Sequence, residues 1–571
     1  MQIAGSDLFV KALQKEQVDV LFAYPGGQAI HLFDALYGAG DIQVILPRHE
    51  QGLIHAADGY ARATGKVGVC LVTSGPGATN LVTGIATAGY DSVPLVCFTG
   101  QVPTSLLGDK AFQEVDIVGM TKGICKWSVC VKRREELAAV IQKAFHIAKA
   151  GKPGVVVVDL PKDIQQALGS DTYPACAEIQ KANTTVSPGQ IETALEKLYT
   201  AKKPLFLLGG GVNIARANAE MERLTEKIKI PVVTTIMGKG AIPTDHPLYI
   251  GNIGIHGSFA ANTAISNCDV LFSIGTRFND RITGKAGTFA KHTTIIHADI
   301  APNAISRNVM VDITIAADAK DIICALLDRA KPLHTEKWRK QIACWEQCHP
   351  LDAQFESVQV TPQNIIKAIN KLFDEAMIAT DVGQNQLWAT QFLALNQHKR
   401  LLTSGGFGTM GYGLPAAIGA KLGCPDKTVI AICGDGGMQM NIQELATAVA
   451  YELPIIICIM NNGYLGNVRQ WQEMFFERRY ASTCLRWRKS CPPACQAPHR
   501  NCPEYIPDFI KLTESYGAAG IRVNRAEDIQ PALCAAKARQ KGPVVIEFII
   551  PREENVYPIV APGKPLDAMI L

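Results

Sequence analysis

Short continuous runs of β-branched and aliphatic residues recur along the whole chain, each closing on a turn residue and most followed by a helical pattern. VDVLFAYPGG, GVCLVTSGPG, PLVCFTGQ and PGVVVVDLPKD punctuate the first third. PLFLLGGG, PVVTTIMGKGAIP, DVLFSIGTRFND and TTIIHADI continue the style, and MIATDVGQ, TVIAICGDG, PIIICIMNNG and GPVVIEFII close the chain. Strands that are apolar on both faces and alternate with helices make parallel sheets covered on both sides. A chain of 571 residues is too long for one such unit. A polar stretch at 169–188 and a Trp-bearing helical segment near 330–360 divide it. The expectation is therefore α/β, with doubly wound parallel-sheet domains at 1–170, 187–335 and 361–571.

Bulk properties exclude several function classes. Net charge is +4 from 56 basic and 52 acidic residues, which suits neither a nucleic-acid surface nor a polybasic membrane anchor. No apolar stretch approaches the roughly 20 residues of a spanning helix. The sequence opens directly on SDLFVKALQKEQV, a capped amphipathic pattern and not a signal peptide, so a cytoplasmic protein is expected. Seventeen cysteines, an odd count, mostly stand singly in apolar runs such as those of Cys70, Cys97, Cys433 and Cys458. That argues against a disulfide framework.

Strand ends in open α/β sheets are where ligands bind, and here they carry Gly-rich loops. In GDGGMQMN, Asp435 follows an apolar run and lies among Gly434, Gly436 and Gly437. A buried carboxylate needs a cation. A helix and a strand later, NNGYLG supplies Asn462. A βαβ crossover of that length brings Asp435 and Asn462 to one sheet edge. One carboxylate and one amide make a partial Mg²⁺ site, of the kind completed by phosphates. The glycines would let backbone N–H groups approach a diphosphate, and a helix expected to begin near Met440–Asn441 would point its positive end there.

The GDG and NN elements, with this spacing, resemble the thiamine-diphosphate enzyme family. SGGFGTMGYGLPAAIGAKL resembles the segment that holds the cofactor bent, which implies Met410 between its rings and the Gly408 carbonyl on its pyrimidine. VGQNQ resembles the diphosphate turn and offers Gln384 and Asn385, the latter where the family usually has His. Tyr464, Leu465 and Gly466 complete the implied diphosphate loop, with Tyr464 a third metal ligand. In HEQGLIHAADGYARATG, Glu50 stands at the start of a helix among apolar residues. The resemblance makes it the carboxyl that activates the cofactor, with Pro76 and Asn80 of SGPGATN beside the pyrimidine. In the family this Glu reaches the cofactor of a second subunit, so a homodimer or homotetramer is implied.

Within that family the chain resembles the catalytic large subunits of acetohydroxyacid (acetolactate) synthase. YPGGQAIHLFDAL, TGQVPTSLLGDKAFQEVDIVGMTKGICKW, GTRFNDRITGK, NVRQWQEMFF and NVYPIVAPGKPLDAMI carry the likeness. It implies decarboxylation of pyruvate and transfer of the two-carbon unit to pyruvate or 2-oxobutyrate, in branched-chain amino-acid synthesis. Arg281 would hold the acceptor carboxylate, Trp471 would favour the larger acceptor, and Gly27, Phe112 and Gln113 would line the site. GTRFNDRITGK matches the FAD-retaining form. Lys152, Gly210, Gly211, Thr235, Met237, His256, Gly275, Arg277, Asp299, Ile300 and Asp318 match the family's FAD path. A separate small regulatory subunit is usual there. Departures are Asn279, in a motif that is usually FDDR, and Asn467, where the family has Met. The alternatives are a pyruvate oxidase or 2-oxoacid decarboxylase on the same scaffold, a glyoxylate-type carboligase, and a nucleotide-binding regulator. Glu50 argues against the carboligase. The regulator would leave Asp435, Asn462, Glu50 and Arg281 unexplained.

One segment lies outside the likeness. CLRWRKSCPPACQAPHRNC (484–502) gathers Cys484, Cys491, Cys495 and Cys502 near His499, without apolar periodicity. A reduced basic loop, a zinc site, two disulfides and an iron–sulfur cluster are all open readings. Its position after Trp471 predicts a place near the mouth of the site.

Overall fold

A computed structural model describes residues 2–174, 186–351, 359–492, 495 and 502–571. It contains three six-stranded sheets, and every strand pairing within them is parallel. The first runs Gln43–Ile45, Val20–Ala23, Gly68–Val72, Leu95–Gln101, Val155–Pro161, Trp127–Cys130. The second runs Tyr249–Asn252, Val232–Thr234, Pro204–Leu208, Val270–Ile274, Thr294–Asp299, Ile313–Ala316. The third runs Arg400–Thr403, Met377–Thr380, Val429–Gly434, Ile455–Asn461, Val544–Ile549, Ala519–Val523. Central strands such as Gly68–Val72 and Val155–Pro161 are buried at every position, which is why their sequences are continuous and not alternating.

Two expected boundaries differ in the structure. The segment read as a linker from 169 begins inside a strand, because Leu168–Ser170 pairs antiparallel with Gln2–Ala4. The rest of that stretch lies partly outside the described residues. The helix expected near Met440–Asn441 begins instead at Asp435 and ends at Met440, and a second spans Glu444–Ala450. Glycine spacing disguised the first turn.

The first and third sheets are joined within one chain. Helix Glu50–Thr64 starts where the His49 ring accepts the Gln51 N–H and ends on Gly65 at φ +77°. It packs on helix Gly413–Gly423 through small residues. A side chain at Gly59 would run into the Ala416 carbonyl, and one at Gly419 into the Ala56 carbonyl. Beside this contact Arg62 pairs with Asp58 at 2.6 Å and Asp91 at 2.9 Å. The Tyr412 hydroxyl donates to Asp58 at 2.6 Å, and Asp91 accepts the Gly406 N–H at 2.8 Å. A buried cluster of two carboxylates around one guanidinium thus fixes the loop after Thr403 against the first domain.

Candidate active site

The carboxyl ends of two neighbouring strands, Val429–Gly434 and Ile455–Asn461, lie side by side, with Gly434 opposite Met460. Asp435 and Asn462 therefore emerge together, as the crossover argument requires. Asp435 is buried, and its Oδ2 has no hydrogen-bond partner. The Tyr505 hydroxyl and the backbone of Asn462 and Gly463 face it, yet burial dominates and pushes its carboxyl up to about 7. Asn462 is oriented from both ends of its amide. Its Nδ2 donates to Gln384 Oε1 at 3.1 Å, and its Oδ1 accepts the Tyr464 N–H at 3.0 Å. Gln384 is in turn fixed by Gln470 at 2.9 Å and the Glu554 carbonyl at 3.0 Å.

The glycines around Asp435 answer to protein packing as well as to any ligand. A side chain at Gly437 would meet the Asp381 carboxylate, and a Cβ at Gly436 would lie 2.8 Å from Leu465 and 3.7 Å from the Met410 methyl. Asn385 turns inward: its Nδ2 donates to the Asp381 carbonyl at 2.8 Å and the Ile432 carbonyl at 3.0 Å. Gly408, at φ +74°, and Met410 lie in the loop that Asp381 holds by accepting the Gly411 and Gly413 N–H groups at 3.0 Å. A Cβ at Gly466 would collide with Gln384.

In the first domain, Glu50 Oε2 accepts from Asn80 Nδ2 at 2.9 Å, and Pro76 opens the short helix that carries Asn80. Gln113, at φ +61°, packs on Gly75. Phe112 is 85% exposed, and open space surrounds Gly27. Among the described residues no hydrogen bond or ion pair links this group to the Asp435 group. The two groups of residues stand apart in the chain.

A cleft of about 700 Å³ opens along the middle domain. Lys152, Gly210, Gly211, Thr235, Met237, Gly275, Arg277, Asp299, Ile300 and Asp318 all line it, as does Arg281. His256 does not. Its ring faces the Pro558 backbone, and burial, with Arg281 nearby, lowers it to about 4. Burial likewise lowers the Lys152 ammonium, and Arg277 adds to the effect. Arg281 reaches the third domain, its guanidinium carbon 5.9 Å from the centre of the Trp471 ring.

Three family descriptions match this chain in order. They are the thiamine pyrophosphate enzyme N-terminal TPP binding domain at residues 3–120, the central domain at 191–326, and the C-terminal TPP binding domain at 381–548. The acetolactate synthase large subunit of Cyanidium caldarium is 43% identical, over 99% of this chain and 96% of its own length. The acetolactate synthase isozyme 3 large subunit of Escherichia coli K12 is 40% identical, over 100% and 98%. The acetolactate synthase large subunit of Corynebacterium glutamicum is 42% identical, over 99% and 89%. The chain belongs to the acetolactate synthase large-subunit family of thiamine pyrophosphate enzymes.

Members of this thiamine pyrophosphate family share three α/β domains, and the three sheets here correspond to them. The residues at the strand ends fit such a cofactor. Asp435 has an orphaned oxygen for a cation, and the glycine cradle has no room for side chains. Sequence reasoning missed two buried acids that position these parts. Glu444, 1% exposed, accepts the Arg48 N–H at 3.1 Å and the His49 N–H at 3.0 Å, fixing the start of the Glu50 helix. Asp381 fixes the Gly408–Met410 loop as described. Glu444 sits in a plain helical stretch and Asp381 just before the VGQNQ turn, and each holds distant backbone groups.

The cysteine-rich segment begins against the site. The Cys484 backbone pairs antiparallel with that of Tyr464, the Leu465 N–H donates to the Thr483 carbonyl at 2.9 Å, and Leu485 covers Gly436. His499 lies outside the described residues. Among the described residues no three cysteine, histidine or acidic side chains gather as a metal-ligand set. No described helix is long and apolar enough to cross a membrane.

Proposed function

We propose that this chain is the catalytic large subunit of an acetolactate synthase, joining two 2-oxoacids with loss of CO₂ from the donor pyruvate. The observation that carries this reading is the contact between Arg281 and Trp471 at 5.9 Å, which sets a cation beside a flat apolar wall. The guanidinium suits the acceptor's carboxylate. The indole suits its alkyl group, where one extra methyl is worth about 1 kcal/mol, enough to prefer 2-oxobutyrate over pyruvate.

Bound thiamine diphosphate supplies a nucleophilic thiazolium carbon and the electron sink for decarboxylation. The chain's residues do the rest. Asp435, Asn462 and Tyr464 would hold Mg²⁺ for the diphosphate. Gln384 and Asn385 hold the strand ends beneath it, and Gly434, Gly436, Gly437 and Gly466 let Asn385, Leu465, Asp381 and Gln384 pack closely there. Gly408 and Met410 shape the pyrimidine side. Glu50 keeps one oxygen on Asn80 and leaves Oε1 to exchange a proton with the pyrimidine ring nitrogen. Gly27, Pro76, Phe112 and Gln113 wall the site.

The separation of the two half-sites and the exposure of Phe112, at 85%, support assembly as a homodimer or homotetramer in which a partner completes each site. The middle cleft and its glycine-lined, cationic lining support FAD as a resident group. The large-subunit names of the relatives support a separate small regulatory subunit. Buried, unbridged cysteines such as Cys458, and Cys70 opposite Cys97, support a cytoplasmic location. Product analysis tests the whole: pyruvate alone should give 2-acetolactate, and added 2-oxobutyrate should give 2-aceto-2-hydroxybutyrate. Trp471→Leu should lower the preference for 2-oxobutyrate several-fold. Acetaldehyde or acetyl phosphate as the main product would refute the reading.

A further inference from the structure

Cysteine is ordinarily among the most buried residue types. Among the described residues three cysteines stand exposed, Cys344, Cys348 and Cys534. Two of the three share one helix, Glu336–Cys348, and lie four positions apart. Residues so spaced face the same way, with Cβ atoms about 5–6 Å from each other. Neither thiol is bridged. The pair also interacts: a hydrogen bond with the Cys344 thiol raises the Cys348 thiol above its ordinary value, ahead of the charge of the same neighbour.

The helix is pinned on its other side and towards its other end. Trp338 and Ile342 are buried, Trp338 Nε1 donates to the Pro204 carbonyl at 3.1 Å, and the Trp338 and Trp345 rings meet edge to face at 5.6 Å. That leaves Lys337, Lys340, Cys344 and Cys348 as one exposed stripe along successive turns. Two ammonium groups ahead of two thiols attract an anionic reagent. Cys348 is the last helical residue. His349 follows at φ −136°, and Pro350 has no N–H with which to continue the ladder. A disulfide needs Cβ atoms about 3.5–4.5 Å apart, so the end of the helix must give by about 1–2 Å. The movement falls on the His349 N–H, which donates to the Trp345 carbonyl at 3.1 Å, and on the His349 ring, 4.1 Å from that of Phe259.

We propose that Cys344 and Cys348 form a reversible oxidation site, closed to a disulfide within the helix by an anionic low-molecular-weight disulfide such as glutathione disulfide. The Cys344 thiolate attacks one sulfur of the reagent, whose S–S bond breaks, and one glutathione leaves as thiolate. The Cys348 thiolate, its proton lost to water, then attacks the Cys344 sulfur, and the second glutathione leaves. Two protein thiols give up two electrons, and one small disulfide is reduced to two thiols. In a reducing compartment such a bond is transient and follows the ratio of small disulfide to thiol. The site is independent of the reaction assigned above. The full chain, equilibrated in glutathione buffers of rising disulfide content, quenched in acid and mapped by mass spectrometry, tests it. A Cys344–Cys348 cross-link should form before Cys534 takes up glutathione, and dithiothreitol should reverse it. Cys348→Ser should lose the cross-link and accumulate glutathione on Cys344, as Cys344→Ser should on Cys348. Both thiols still free once Cys534 is modified, stable glutathione on both in the native chain, or a cross-link from either to another cysteine would overturn the proposal.

Discussion

Asp159 sits in the core of the first sheet, 3% exposed, with Thr99 at 2.6 Å and Gln101 at 2.9 Å. Burial pushes it up to about 7. The folded pKa is raised above the unfolded value of 3.8, so the native state holds this proton more tightly. Its stabilising contribution is full below about pH 4 and is lost as pH rises towards 7, worth at most about 4 kcal/mol. Across that range the stability difference between the native protein and the Asp159→Asn variant, read from denaturant midpoints, should shift with pH against the native protein. Glu50 makes a different case. Glu50→Gln keeps the Asn80 contact but removes an exchangeable proton, so turnover should drop about 10²-fold or more with the cofactor still bound. Near-normal hydrogen exchange at the cofactor's thiazolium carbon in that variant would end the assignment. Residues like Asp435 were legible in the sequence because a charge between glycines at a strand end has few other uses. Glu444 and Asp381 were not, because what they hold is backbone far away in the chain, and backbone leaves no mark in sequence.

The helix Glu50–Thr64 and its partner Gly413–Gly423 meet where neither can carry a side chain. Gly419→Val would force the helices apart against the Ala56 carbonyl, and overpacking of this kind costs about 1–3 kcal/mol. Thermal unfolding should shift down, and kcat should fall more than cofactor affinity does, because the Glu50 helix moves while the Asp435 loop stays. A normal melting temperature would show that the contact yields freely. At this scale the strands were read well, since fully buried parallel strands announce themselves as unbroken apolar runs. The helix at Asp435–Met440 was not, because three of the residues from Gly434 to Met440 are glycine, and glycine argues against helix wherever tertiary contacts do not overrule it. Leu168–Ser170 was missed for a related reason: a short polar edge strand carries almost no pattern of its own.

Across the whole molecule, the sequence readings of the FAD path converge on one cleft, with His256 the exception. The purified protein should therefore carry a flavin that pyruvate does not reduce stoichiometrically. A colourless, fully active enzyme would remove FAD from the reading. The divided active site has a consequence of its own. If each working centre takes Glu50 from one chain and Asp435 from another, then two separately dead proteins can repair one another. A preparation of Glu50→Gln and a preparation of Asp435→Ala, unfolded together and refolded at equal concentration, should recover about a quarter of the native centres. Half of the dimers would then be mixed, each concentrating both lesions in one centre and leaving the other intact. Two variants that stay dead after mixing, despite proven exchange of chains, would mean that each chain works alone.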